Sequence, residues 1–301
     1  MPARHTNLLA NDTSSREMAL NQPSSQTKQS MQKLLFSFYY TSPNLEISRI
    51  DPLPSAPHRA YILTTNNGYY TLKMAPPSGA RIMRHESECP TAEGKILNLI
   101  EGSNIPIPKV IGEDSGKRNH VRSPFLLRIY IPGDPLSSVA HRFTSFDLAQ
   151  IDQKVGRYIR LATNFKQNQF GPSSKVLAGQ GLSNWRTAFQ TLMEMALRDA
   201  EDVYLSIPFT SIRGWVGHHL GKLDVVKEAH LVPLRSGSPD TVIVDSNSNT
   251  LVGIVGWTDV VWGDPMLGEA FDNPSAEFWV GFGDNPTYSY FDGHDLTRHM
   301  M

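Results

Sequence analysis

The spacing of apolar and polar positions changes several times along the chain, and each change marks an element. Two short β-branched runs, residues 241–245 and 251–255, flank a Ser/Asn turn and predict a β-hairpin. A polar loop leads into it from Leu231, and a Trp-rich loop leads out to Gly263-Asp264-Pro265. Nearer the N-terminus, residues 45–53, 58–65 and 69–74 read as three successive strands. Between the last two, Asn66-Asn67-Gly68 predicts a tight turn with φ > 0 at Asn67 and Gly68. Residues 109–112 and 124–131 read as two further strands. Helical spacing takes over elsewhere. Residues 31–40 form a short helix, and Ala92, Ile96, Leu99 and Ile100 recur at helical intervals after Pro90. Leu148, Ile151, Val155, Tyr158, Ile159 and Ala162 mark one face of a helix from Ser145 that closes near Phe170-Gly171-Pro172. Trp185, Phe189, Leu192, Met193 and Ala196 mark another over residues 183–204, with Ser183 as its N-cap. A third covers residues 212–220.

The 301 residues give room for one large or two small domains with a sizeable core. At 40% hydrophobic and 19% charged, the composition is that of an ordinary globular protein. A formal net charge of −1 argues against a general nucleic-acid binder or a binder of anionic membranes, and no run of 18 apolar residues spans a bilayer. Cys89 stands alone, which excludes an intrachain disulfide and a Cys-based zinc site and favours a reducing compartment. His218 and His219 are adjacent and point to different helix faces, so they make poor joint metal ligands. Residues 1–30, rich in Asn, Ser, Thr and Gln, lack the apolar core of a secretory signal and read as a disordered tail. Asp12 and Glu17 count against a mitochondrial presequence, so a cytoplasmic location is expected.

The stretch LVPLRSGSPDTVIVDSNSNTLVGIVGWTDVVWGDP, residues 231–265, resembles the catalytic loop, hairpin and metal loop of the aminoglycoside-phosphotransferase-like (choline-kinase-like) family. Its WGDP segment is similar to a form common among fungal members, and PFLLRIYIPGDPL is similar to the family's lobe connection. The resemblance covers roughly residues 45–283. It implies an α+β, two-lobed, protein-kinase-like fold. A β-rich N-lobe of antiparallel sheet plus helix would span residues 31–132, and a mainly helical C-lobe, shortened at its C-terminus, residues 133–301. Lys73 in YYTLKM falls on the strand lysine that grips phosphates in such kinases. Glu93, counted back from Ile105-Pro106-Ile107-Pro108, falls on its partner in the following helix. That pair serves equally as a structural tie, because a buried charge stripped of its partner costs about 3–5 kcal/mol. The phosphate-covering loop falls on PSAPHR, from Pro54 to Arg59, whose two prolines suit a stiff surface turn better than a phosphate cradle.

On the same count the family's catalytic Asp falls on Ser236, its metal-binding Asn on Thr241 and its metal-binding Asp on Gly256. Magnesium wants oxygen ligands, usually including carboxylates, and a serine has no basicity of its own near neutral pH. The resemblance therefore implies a kinase fold emptied of its reactive groups, holding no metal and no cofactor. Asp264 is retained, as a support of loop geometry. One reading is a repurposed pocket between the lobes that acts on a small organic molecule by cyclisation, isomerisation, dehydration or addition, by analogy in fungal specialised metabolism. Its catalytic candidates are Lys73, Glu93, Arg128, Asp240 and Asp259, and its ligand-binding candidates Tyr130, His230, Arg235 and Trp257. Arg128 replaces the apolar residue beside the adenine edge; it either points to solvent or binds a carboxylate or ketone oxygen. A second reading is a pseudokinase-like regulator with a protein partner or as a homodimer, and a third a residual phosphotransferase.

Overall fold

The computed structural model describes residues 25–39, 44–55, 57–84, 89–116 and 118–283. Most of the expected N-terminal tail, residues 1–24, lies outside them. The chain divides into two compact units, residues 1–80 with 111–130, and residues 81–110 with 131–301. The segment that carries Glu93 thus groups with the second unit.

In the first unit, helix α1 (Ser25–Phe38) accompanies β1 (Ile47–Leu53), β2 (Arg59–Thr65), β3 (Gly68–Met74), β4 (Val110–Asp114) and β5 (Phe125–Ile129), in sheet order β1-β2-β3-β5-β4. Strand alternation sends Tyr70, Leu72, Met74, Phe125 and Leu127 to one face, where they form a core with Met31, Leu34 and Leu35 of α1. The helix starts at Ser25, ahead of the expected Met31. The added turn is polar, so no apolar period announces it. What fastens the helix is Gln32, whose amide donates to the Leu45 carbonyl at 2.8 Å and accepts from Ile47 N–H at 2.7 Å. At the β2–β3 turn only Gly68 takes a positive φ, +116°, and Asn67 does not. The Thr65 hydroxyl accounts for this, accepting from Asn67 N–H at 3.1 Å and donating to the Gly68 carbonyl at 2.9 Å.

The second unit is mainly helical. It holds α2 (Cys89–Ile100), α3 (Leu136–Val139), α4 (Ser145–Thr163), α5 (Ser173–Leu177), α6 (Trp185–Asp202), α7 (Phe209–His219) and α8 (Ala276–Phe282). Two small sheets complete it. One has order β11-β10-β6, from β6 (Asp134–Pro135), β10 (Val242–Asp245) and β11 (Thr250–Ile254). The other has order β7-β9-β12-β8, from β7 (Lys166–Gln167), β8 (Gly171–Pro172), β9 (Ala229–Pro233) and β12 (Val260–Gly263). The expected loops on either side of the hairpin therefore contain strands. Each is a short apolar run whose partner is distant in sequence, which local periodicity cannot reveal. Helix α6 is capped by Asn184, which accepts from Thr187 N–H at 2.9 Å, and not by the expected Ser183 next to it. Helix α7 begins at Phe209, earlier than expected, and ends at His219.

Helices α4 and α8 approach each other through glycines. A Cβ built on Gly156 would lie against the Phe278 carbonyl, and one on Gly281 against the Gln153 carbonyl, both closer than real Cβ atoms come. Indole rings fill much of the remaining interior: Trp185, Trp257 and Trp262 are fully buried, and Trp185 lies flush on Gly263. Ion pairs from Arg84 to Asp199 and Asp202 fix the start of the 81–110 segment, and Ile254 N–H donates to the Pro106 carbonyl at 2.8 Å near its end. Among the described residues no helix is long and apolar enough to cross a membrane.

Candidate active site

Two strand pairings bring the candidate loop together. Pairing of β9 with β12 sets Pro233 opposite Val260, and pairing of β10 with β11 sets Val242 opposite Ile254. The chain that leaves β9 and the chain that returns to β12 consequently run side by side. Three backbone bonds hold them: Leu234 N–H to the Asp259 carbonyl at 2.8 Å, Glu269 N–H to the Leu234 carbonyl at 2.8 Å, and Val255 N–H to the Thr241 carbonyl at 2.9 Å. Beyond β12, the buried Asp264 accepts from Met266 N–H at 3.1 Å. At the hairpin turn, Asn247 N–H and the Ser248 hydroxyl hold the Asp245 carboxyl below its ordinary pKa.

Ser236, Thr241 and Gly256 meet inside this frame. Gly256 has φ +87°, and a Cβ built there would sit 2.7 Å from the Thr241 methyl and 3.6 Å from the Ser236 hydroxyl oxygen. Ser236 is completely buried, and its hydroxyl has no hydrogen-bond partner among the described residues. These positions offer two neutral hydroxyls and no carboxylate, and the space a carboxylate at 256 would enter through is filled by a methyl group. Such a donor set does not fit magnesium, which takes six oxygens in near-ideal octahedral geometry. No three His, Cys, Asp or Glu side chains converge on a cation site among the described residues.

The other candidates divide between the two units. In the helical unit, Glu93 of α2 is buried and accepts from the Thr258 hydroxyl at 3.0 Å, which sets it beside the Trp257-Thr258-Asp259 turn. Trp257 is buried too, its indole N–H donating to the Ile254 carbonyl at 2.9 Å, so its ring is part of the hairpin's packing. Asp259 is half-buried, whereas Asp240 and Arg235 are exposed. His230 lies on β9, with Nδ1 2.6 Å from the Thr163 carbonyl and Nε2 3.6 Å from a Glu228 carboxylate oxygen. In the sheet unit, Thr71 pairs with Arg128 and Lys73 with Leu126. Alternation puts Lys73 and Arg128 on one face as diagonal neighbours, opposite the core on α1, and both are buried. Tyr130 N–H donates to the Tyr69 carbonyl at 3.0 Å, and the two rings meet edge-on. Sequence reasoning missed Thr258. The signal was available, a hydroxyl between two singled-out residues, but only the folded turn shows that it reaches Glu93.

No protein-family model and no curated protein matches the chain. Solved structures do. The chain is similar to the streptomycin–ATP ternary complex of APH(2")-IIa, with TM-score 0.55 and 14% identity over 88% of this chain and 85% of that one. It is similar to a thermostable mutant of aminoglycoside phosphotransferase APH(4)-Ia in ternary complex with ADP and hygromycin B, with TM-score 0.52 and 17% identity over 79% of this chain and 74% of that one. For spectinomycin phosphotransferase APH(9)-Ia with ADP and spectinomycin, the TM-score is 0.51 and the identity 12%, over 89% of this chain and 84% of that one. The chain accordingly has the protein-kinase-like α+β fold of aminoglycoside phosphotransferases, a small antiparallel-sheet lobe and a helical lobe.

Proposed function

We propose that this protein uses a kinase fold to handle a small organic molecule without transferring phosphate from a magnesium nucleotide. The observation that supports this best is the contact at Gly256, where the Thr241 methyl fills the approach a metal-binding side chain would need. Phosphoryl transfer relies on metal-neutralised phosphates and a carboxylate that orients the acceptor, and the hydroxyls of Ser236 and Thr241 supply neither. Turnover of another kind needs only a shaped site and a few acid–base groups. Within the helical unit, Glu93, Asp259 and Asp240 are the acid–base groups we assign to it. Arg235, in the same unit, is the assigned ligand contact. Cyclisation, isomerisation, dehydration and addition all fall within that chemistry.

The test has two arms. Purified protein is denatured and its extract read by mass spectrometry, with an equimolar organic molecule expected. Melting temperature and ADP release are then measured with Mg·ATP; neither should change, since a ligand of the native state would raise the melting temperature. ADP formed in proportion to an added alcohol or amine acceptor would overturn the reading.

One observation favours a second reading, regulation through a protein partner. After α6, Val203, Tyr204 and Leu205 are three consecutive exposed apolar residues, with Tyr204 92% exposed and at φ +56°. Such runs are avoided on free surfaces unless they bind something. If they bind a partner or a second copy, V203S/L205S would abolish a complex seen by size exclusion for the unaltered chain.

A further inference from the structure

We infer that Thr241 is a positioning residue that takes over the structural role a cation has between two loops, so that this loop keeps its shape without any metal. A cation shared by two segments cross-links them, and its binding energy becomes folding energy. Thr241 makes a comparable cross-link from one side chain. Its hydroxyl oxygen accepts from Gly237 N–H at 3.0 Å, and its proton is shared between the Arg235 and Ser238 carbonyls, each 3.0 Å away. The Ser238 hydroxyl lies 3.4 Å off. The backbone of the same residue is engaged at both ends, its N–H donating to the Ser238 carbonyl and its carbonyl accepting from Val255 N–H, both at 2.9 Å. On the opposite side its methyl closes over Gly256. The hydroxyl thus fixes the loop that follows β9, and the methyl seats the segment that follows β11. Glycine at 256 is part of the same arrangement, since only a residue without Cβ tolerates both the left-handed φ and the methyl.

The inference rests on the metal-free reading above, and its test uses no nucleotide. Melting temperatures of the full chain are measured for the unaltered protein, T241V, T241S, G256A and T241S/G256A, each with millimolar MgCl₂ and with EDTA. The unaltered protein should melt at the same temperature in both. T241V, which keeps a methyl and loses the hydroxyl, should melt roughly 2–4 °C lower, and T241S should retain most of the stability that the hydroxyl supplies. G256A should cost less on T241S than on Thr241, because the methyl it collides with is gone. What persists is the cost of the left-handed φ. Equal costs of G256A in the two backgrounds, T241V melting with the unaltered protein, or a rise with MgCl₂ alone would each overturn the inference. If T241V does not fold, the comparison between T241S and Thr241 still decides. Phosphate transfer from ATP would refute the proposed function and leave this cycle unchanged, so the two failures are distinguishable.

Discussion

The hydroxyl of Thr258 donates to a carboxylate oxygen of Glu93 across 3.0 Å, joining the turn after β11 to helix α2 within the helical unit. Glu93 is 1% exposed, so water cannot replace a donor that is removed. Removing a buried hydrogen bond that nothing replaces costs about 1–3 kcal/mol. T258V should therefore lower unfolding stability by about that amount, whereas T258S should hold it. Denaturant titration checks this, and a T258V midpoint equal to that of the unaltered chain would remove the bond from the account.

Glycine at the α4–α8 crossing sets two physical effects against each other. In an isolated helix, Gly→Ala gains about 1 kcal/mol. At Gly156 and Gly281 the added methyl would meet the backbone carbonyls of Phe278 and Gln153. Forcing atoms into packed space costs about 1–3 kcal/mol or more. G156A and G281A are accordingly expected to melt lower than the unaltered protein, despite better helix propensity. A higher melting temperature for either would mean that the helices do not approach as described.

Acid sensitivity should come in part from the surface between α6 and α7. Hydrogen bonds from Arg213 and then Arg198 hold the Glu194 carboxyl down to about 2, from an ordinary 4.5. A carboxyl whose pKa is lower in the folded chain stabilises it above the unfolded value, and that contribution fades as pH falls through the folded one. Stability should thus decline between about pH 4.5 and 2, and E194Q should show a shallower decline in that window. Thermal unfolding across the range measures it; identical slopes for the two proteins would exclude Glu194.

Ser236 predicts an asymmetry between two substitutions. An unpartnered buried hydroxyl costs about 1–3 kcal/mol, so S236A should be neutral or stabilising. S236D puts a carboxylate in the same fully buried place and should lose about 3–5 kcal/mol, with its pKa pushed up by burial. Chemical denaturation of the two variants decides, and a well-folded S236D that binds magnesium would refute both this and the metal misfit.

Elements with a strong internal period were legible in the sequence. Strands β1 to β3 fall close to their expected places. Helix α4 starts at Ser145 as expected but ends at Thr163, where its apolar period runs out, ahead of the expected close near Phe170-Gly171-Pro172. The short strands β6 to β9 and β12 were not, since two to five residues cannot establish a period and their partners are far away in the chain. Counting along the hairpin singled out Ser236, Thr241 and Gly256, which lie close together in the fold. What counting could not show was how they fit. That Thr241 turns its methyl toward Gly256 and its hydroxyl toward Arg235 and Ser238 is a matter of rotamer and neighbour, and no spacing encodes it. The same holds for Trp257, where an indole that reads as a ligand wall is engaged with Ile254.

All five tryptophans, Trp185, Trp215, Trp257, Trp262 and Trp279, belong to the helical unit, and the sheet unit has none. Three of those indoles are fully buried. Emission excited at the red edge of the ultraviolet band therefore reads the helical unit alone, whereas tyrosine signal mixes both units, since Tyr158 and Tyr204 belong to the helical one. Native fluorescence can thus follow the helical unit without any added dye.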